Sequence, residues 1–177
     1  MSKRPALWIV VALGLVLAGF VGVLAARGQA GTQQADSPLL GQPAPDVSGP
    51  AIDGSQVSLA QFRGRYVVVN FFASWCVPCQ QEQPELTRFA ERHSAAGDAQ
   101  VLSVIYQDST DAVRKLFEKN ASTWPVIDDS KAKVDFGVRG VPESFLVDPQ
   151  GIVLVRVTGG VTADGLDRLV EQARARA

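Results

Sequence analysis

The spacing of apolar residues changes three times along the chain, and each pattern predicts a different kind of element. "ALWIVVALGLVLAGFVGVLAA", residues 6–26, is 21 residues without one charge. At 1.5 Å per residue such a helix spans roughly 30 Å, about the hydrocarbon thickness of a bilayer. "YVVVNFFA" (residues 66–73) and "AQVLSVIYQD" (99–108) are apolar, β-rich runs of the kind that become buried strands. Helical periodicity marks three further stretches. One runs from Cys76 to about Ser94, with Pro78 tolerable in the first turn and Pro84 expected to kink it. Another covers Asp111 to Asn120, with Val113, Leu116 and Phe117 on one face and a cap at Ser109 or Thr110. The third closes the chain with Leu166, Leu169 and Val170 facing inward; Gly165 weakens its start. "WPVIDD" reads as a short strand or turn and "KAKVDFGV" as a short helix ended by Gly137. "SFLVD" and "IVLVRVTG" flank Asp148-Pro149-Gln150-Gly151, which has turn composition and predicts a hairpin. The order strand, helix, strand, helix, hairpin, helix implies an α/β domain: a mixed sheet with helices on both faces.

The uncharged stretch divides the chain. Lys3 and Arg4 precede it and Arg27 alone follows closely, so the positive-inside rule puts residues 1–5 in the cytoplasm and the remainder outside. A cleaved leader would carry an apolar region of about 7–15 residues, so the length favours a retained signal-anchor over 6–26. No cysteine stands at its end to carry a lipid. Residues 27–38, rich in Gly, Gln and small polar side chains, read as a flexible tether, and 39–177 as the folded domain. No internal repeat is visible.

Charge narrows the partners. The 17 basic and 18 acidic residues nearly balance, and no polybasic tract or nucleic-acid motif is present, so an acidic polymer is not an expected partner. The chain holds only two cysteines, Cys76 and Cys79, in "WCVPCQQE". Two are too few for a disulfide scaffold, and the loop they close is too small to constrain the unfolded chain. Export would let a disulfide form and persist. At a strand-to-helix junction the first-turn N–H groups and the helix dipole stabilise negative charge, so Cys76 is expected to ionise near neutral pH. Cys79, one helical turn on, is placed to attack a mixed disulfide on Cys76, and Pro78 fixes φ where no N–H is needed. Zinc normally needs four ligands, and the single histidine, His93, falls at the far end of the helix and reads as a solvated residue. Two thiolates could still hold Cu(I). No metal and no cofactor are expected at the site.

"VVVNFFASWCVPCQQEQPEL", followed about sixty residues later by "FGVRGVPESFLVDPQGIV", resembles the membrane-anchored thioredoxin-like proteins of the TlpA/ResA/CcmG (DsbE) group. The resemblance covers Leu39 to the C-terminus and implies a thioredoxin-like fold. It implies that Pro142 is a cis proline opposite the active-site pair, with Val141 and Pro142 holding an extended substrate backbone. It places acidic residues near the cysteines at Glu143 and Glu82, which are together expected to handle protons, Glu143 by taking and returning that of Cys79. Ordinary thioredoxins carry a buried Asp where this chain has Asn70, which cannot act as a base. Trp75 and Phe72 are expected to pack around the pair, with Trp75 shaping the substrate face. Exported thiol peroxidases share the layout but carry a Pro-x-x-x-Thr/Ser-x-x-Cys signature; the matching positions here are Val69 and Ala73, which argues against peroxidase chemistry.

The resemblance therefore implies a thiol–disulfide oxidoreductase on the outer, periplasmic face of the cytoplasmic membrane. It would keep apocytochrome c thiols reduced and draw electrons from an integral-membrane donor protein. Two alternatives remain open from the residues: an oxidase or isomerase forming disulfides in exported proteins, and a Cu(I)-binding delivery protein.

Overall fold

In the computed structural model, which describes residues 8–9, 11–17, 19–20 and 33–176, the run beginning at Tyr66 becomes the central strand of a six-stranded sheet. In chain order the strands are β1 (Gln33–Ala35), β2 (Ser48–Pro50), β3 (Gln56–Ser58), β4 (Tyr66–Phe72), β5 (Ala99–Ile105), β6 (Val126–Ile127), β7 (Glu143–Val147) and β8 (Val153–Thr158). The helices are α1 (Val77–Ser94), α2 (Thr110–Asn120), α3 (Ala132–Asp135) and α4 (Ala163–Arg174), with a 3-10 turn at Leu59–Phe62. The sheet order is β1-β8-β7-β4-β5-β6, and β2 and β3 form a separate antiparallel pair. β4 runs parallel to β5 and antiparallel to β7, so the sheet is mixed as expected.

Every residue of β4 is buried, and alternate side chains feed two cores. Tyr66, Val68 and Phe72 join Leu86 and Phe89 of α1, Val113 and Phe117 of α2, and Leu166 and Leu169 of α4. Val67, Val69 and Phe71 join the other core, with Leu59, Ala132, Phe136 and Phe145. The longer helices thus share one face, while the opposite face is closed by α3, the 3-10 turn and the β2–β3 pair. Phe71, Phe136 and Phe145 meet there edge to face, with ring centroids 4.9 to 6.0 Å apart.

The helix boundaries follow local chemistry. Ser109 caps α2 by accepting from the Ala112 N–H at 3.2 Å, and Thr162 caps α4 by accepting from Gly165 N–H at 3.1 Å. α1 continues through Pro84, whose missing N–H leaves the Gln80 carbonyl without its usual partner on an exposed side of the helix. Gly137, with φ of 65°, ends the short helical stretch at α3.

Two units divide the chain, Met1–Ala30 and Gly31–Ala177. Among the described residues no helix is long and apolar enough to cross a membrane. The expected cytoplasmic N-terminus (1–5), and parts of the anchor (6–26) and the tether (27–38), lie outside the described residues. Within the stretch read as tether, Gln33–Ala35 pairs as β1 with Arg156–Thr158 of β8. Composition could not reveal this, because the pairing depends on the free edge that β8 offers rather than on apolar content.

Replacing Phe145 with Ala opens a void beneath two aromatic neighbours, and urea unfolding should show a loss of about 3–5 kcal/mol with an unchanged m-value.

Candidate redox site

β4 delivers the chain into a short turn, Ala73-Ser74-Trp75, that ends at Cys76, the N-cap of α1. The turn is pinned from the loop after β5. The Ser74 N–H donates to Asp108 Oδ2 at 2.6 Å, and Trp75 Nε1 donates to the Gln107 carbonyl at 3.2 Å. From the helix side, Gln80 Nε2 donates to the Ser74 carbonyl at 2.6 Å. Cys76 and Cys79 are joined as a disulfide, with Cα atoms 5.2 Å apart. The Cys79 N–H donates to Cys76 Sγ at 3.2 Å, so a backbone dipole already faces the sulfur on which thiolate charge would develop.

The two sulfurs are not equivalent. Cys79 is fully buried and Cys76 is 5% exposed, beside Trp75 at 57% and Val77 at 61%. The Val141–Pro142 bond is cis, and the Val141 carbonyl oxygen lies 3.6 Å from Cys76 Sγ. While the disulfide is closed this is a sulfur–oxygen contact; a Cys76 thiol would have that carbonyl as an acceptor.

The structure separates the two candidate carboxylates. Glu143 sits opposite Phe71 in the β4–β7 register, so its side chain turns to the face where Phe71, Phe136 and Phe145 pack. There Arg156 Nε donates to Glu143 Oε1 at 2.5 Å, and another guanidinium nitrogen reaches the Asp36 carbonyl at 3.1 Å. Glu82 lies on the helical face, one turn after Cys79, and is 2% exposed. Its Oε1 accepts from Asn70 Nδ2 at 2.9 Å and its Oε2 from the Val161 N–H at 3.1 Å. Burial raises its pKa from 4.5 to about 7, against the two hydrogen bonds, which favour the charged form.

Behind Glu82 is a polar group of which the sequence motifs pointed only to Asn70. Ser103, Asn70 and Ser144 stand side by side across β5, β4 and β7 on the helical face. Each is the one polar residue within an apolar run facing α1, and that interruption was the available signal. Trp124 is buried against Phe117 and joins this group through its indole N–H.

His93 is not solvated as expected. Its ring nitrogens lie 2.8 Å from Asp98 and 3.1 Å from Asp167, which ties the end of α1 to the start of β5 and to α4. Among the described residues no group of three or more His, Cys, Asp or Glu side chains is arranged to hold a metal ion.

A vicinal disulfide-forming pair at a helix N-terminus, next to a cis proline on a thioredoxin-like sheet, defines a thiol–disulfide oxidoreductase. Residues 40–156 match the AhpC/TSA family, to which the chain belongs. It is 30% identical over 167 residues to the thiol:disulfide interchange protein DsbE of Allochromatium vinosum, covering 92% of this chain and 87% of that one. It is 26% identical to the thiol-disulfide oxidoreductase ResA of Bacillus cereus, over 97% of this chain and 98% of its relative. Among solved structures, a putative thiol:disulfide interchange protein DsbE from Chlorobium tepidum superimposes with a TM-score of 0.68 at 33% identity, covering 77% and 96% of the two chains.

Because the folded-state pKa of Glu82 lies above its unfolded value, its contribution to stability is present in full below about pH 4.5 and is lost as pH rises through about 7. Denaturation of the oxidised protein at a series of pH values should show Glu82→Gln gaining on the wild type by about 3 kcal/mol between pH 4.5 and 8. A constant difference would mean that Glu82 does not titrate in this range.

Proposed function

We propose that this protein is an extracytoplasmic reductase, held at the outer face of the cytoplasmic membrane by residues 6–26, that reduces disulfides of apocytochrome c before haem attachment. The observation that carries the catalytic reading is the asymmetry of the pair: Cys76 slightly exposed between the exposed Trp75 and Val77, Cys79 fully buried one helical turn from a carboxyl group whose pKa is raised to about 7. In the dithiol form the Cys76 thiolate attacks a substrate disulfide. One substrate sulfur leaves as a thiolate, and the other is joined to Cys76. Glu82 then takes the Cys79 proton, and the Cys79 thiolate attacks Cys76 Sγ. The second substrate thiolate is released, and two electrons have passed to the substrate. Trp75, Val77 and the Val141–Pro142 segment receive the substrate backbone. Glu143, tied to Arg156, holds the strand that follows Pro142. An integral-membrane dithiol donor returns the Cys76–Cys79 disulfide to the dithiol form.

The membrane reading is supported by the uncharged run at 6–26 and by the exposed apolar side chains within it, Trp8, Leu13, Val16 and Phe20 among them. The reductive direction and the apocytochrome substrate are supported by the resemblance to the TlpA/ResA/CcmG (DsbE) group and by the names of the relatives.

Cys79→Ser lacks the resolving thiol and should accumulate a mixed disulfide through Cys76 in cells; mass spectrometry should find an apocytochrome c cysteine on the other side. Acid quenching and thiol alkylation should find the wild-type pair mostly reduced. A mostly oxidised pair together with trapped non-cytochrome exported proteins would instead favour an oxidase or isomerase.

A further inference from the structure

Glu82 is the last member of a buried hydrogen-bond chain that starts more than one strand away. Trp124, between α2 and β6, donates its indole N–H to Ser103 Oγ at 2.9 Å. Ser103 donates to Asn70 Oδ1 at 3.3 Å. Asn70 Nδ2 donates to Glu82 Oε1 at 2.9 Å and to Ser144 Oγ at 3.1 Å. Asn70, Ser103 and Glu82 are all but excluded from water, so no solvent substitutes for a missing partner.

The chain has a direction, and its remote end sets it. An indole N–H can only donate. It occupies one lone pair of the Ser103 hydroxyl, whose proton is then directed to the Asn70 carbonyl oxygen. That leaves the Asn70 amide hydrogens for Glu82 and Ser144. With the amide reversed, its oxygen would face Glu82 Oε1, an arrangement that requires a proton on Glu82. It would also fill both lone pairs of Ser103 Oγ with N–H donors and take the Asn70 oxygen away from the Ser103 hydroxyl proton.

We infer that Trp124 and Ser103 are positioning residues that act through Asn70, fixing its amide so that Glu82 Oε1 is met by a hydrogen-bond donor. The inference rests on the proposed use of Glu82 as the Cys79 proton carrier, but the chain can be tested apart from that role. The side chains of Trp124 and Ser103 touch neither the cysteines nor Glu82 by any hydrogen bond; their effect on the site passes through one amide.

The other ionisable groups near Glu82 are accounted for. On its own helix, Cys76 and Cys79 are locked in the disulfide, and Glu85 accepts from the Ala163 N–H at 3.0 Å and pairs with Arg88. On β7, Glu143 faces the other side of the sheet with Arg156 of β8. On α4, Asp164 and Asp167 are held by Arg92. Beyond β5, Asp108 accepts from the Ser74 and Ser109 N–H groups.

The test uses the full oxidised chain in detergent, where the cysteines do not titrate. Glutamate carboxyl carbons are labelled with 13C, and the Glu82 signal is identified by its loss in Glu82→Gln. Trp124→Phe keeps an aromatic ring but removes the N–H; Ser103→Ala removes the relay. Each should raise the Glu82 titration midpoint by roughly half to one pH unit. The double variant should move it little further than the larger single effect, because both act through one amide. Ser103→Thr, which keeps the hydroxyl, should restore the wild-type midpoint. Unchanged midpoints in variants that retain the wild-type circular dichroism would overturn the inference, and Ser103→Ala decides it alone should Trp124→Phe fail to fold. A separate measurement, the resolution rate in Glu82→Gln, judges the proton-carrier role: no loss of rate near pH 7 would sink that reading while leaving the midpoint result standing.

Discussion

Glu82 lies inside the helical face of the sheet, where an unpaired carboxyl group would cost several kcal/mol, and separate parts of the fold converge to meet its hydrogen bonds. Asn70 reaches it from the central strand and the Val161 N–H from the segment leading into α4. The neighbouring Glu85 accepts from Ala163 N–H at the first turn of α4, so one stretch of α1 supplies carboxylates to the segment that starts the last helix. Charge of that sign suits a helix N-terminus. The packing of α1 against α4 is thus specified by polar contacts as well as by Leu86, Phe89 and Leu166; burial there raises the Glu82 pKa, and the hydrogen bonds from Asn70 and Val161 oppose that rise.

This arrangement divides the site by depth. The outer cysteine is surrounded by features suited to meeting another protein: the exposed Trp75 and Val77, and the Val141 carbonyl beside the sulfur. The inner cysteine faces no solvent, and any proton it gives up must go to a neighbour. A general acid or base is most useful when its pKa lies near the working pH, and burial brings Glu82 there. Glu143, adjacent to Pro142 in sequence, has a different environment because successive side chains of a strand point to opposite faces. Its partner is a cation, and its place is at the joint between β7, β8 and the chain leading in from β1.

Much of the fold was legible in the sequence because it rests on periodicity and local chemistry. The buried strands at Tyr66 and Ala99, the helix starting at Cys76, the Ser109 cap and the hairpin at Asp148–Gly151 each follow from residues close in the chain. The redox pair was legible for the same reason: a Cys-x-x-Cys at a strand-to-helix junction carries its own geometry. Less was legible where strands meet. β1 looked like tether because its pairing is decided by the edge of β8, far along the chain. His93 looked solvated because Asp98 and Asp167 come to it only through packing.

The sequence by itself determined the class of fold, the pair of cysteines and their position at a helix start, since these depend on short-range spacing. Tertiary structure alone decided where the two candidate carboxylates lie and what each one meets. Glu82 and Glu143 are the same residue type near the same motifs, but strand alternation sends Glu143 to Arg156 on one face, while helix packing seals Glu82 beside Asn70 on the other. Depth, partner and dielectric, which set a proton's affinity, are properties of the packed sheet and not of the chain order.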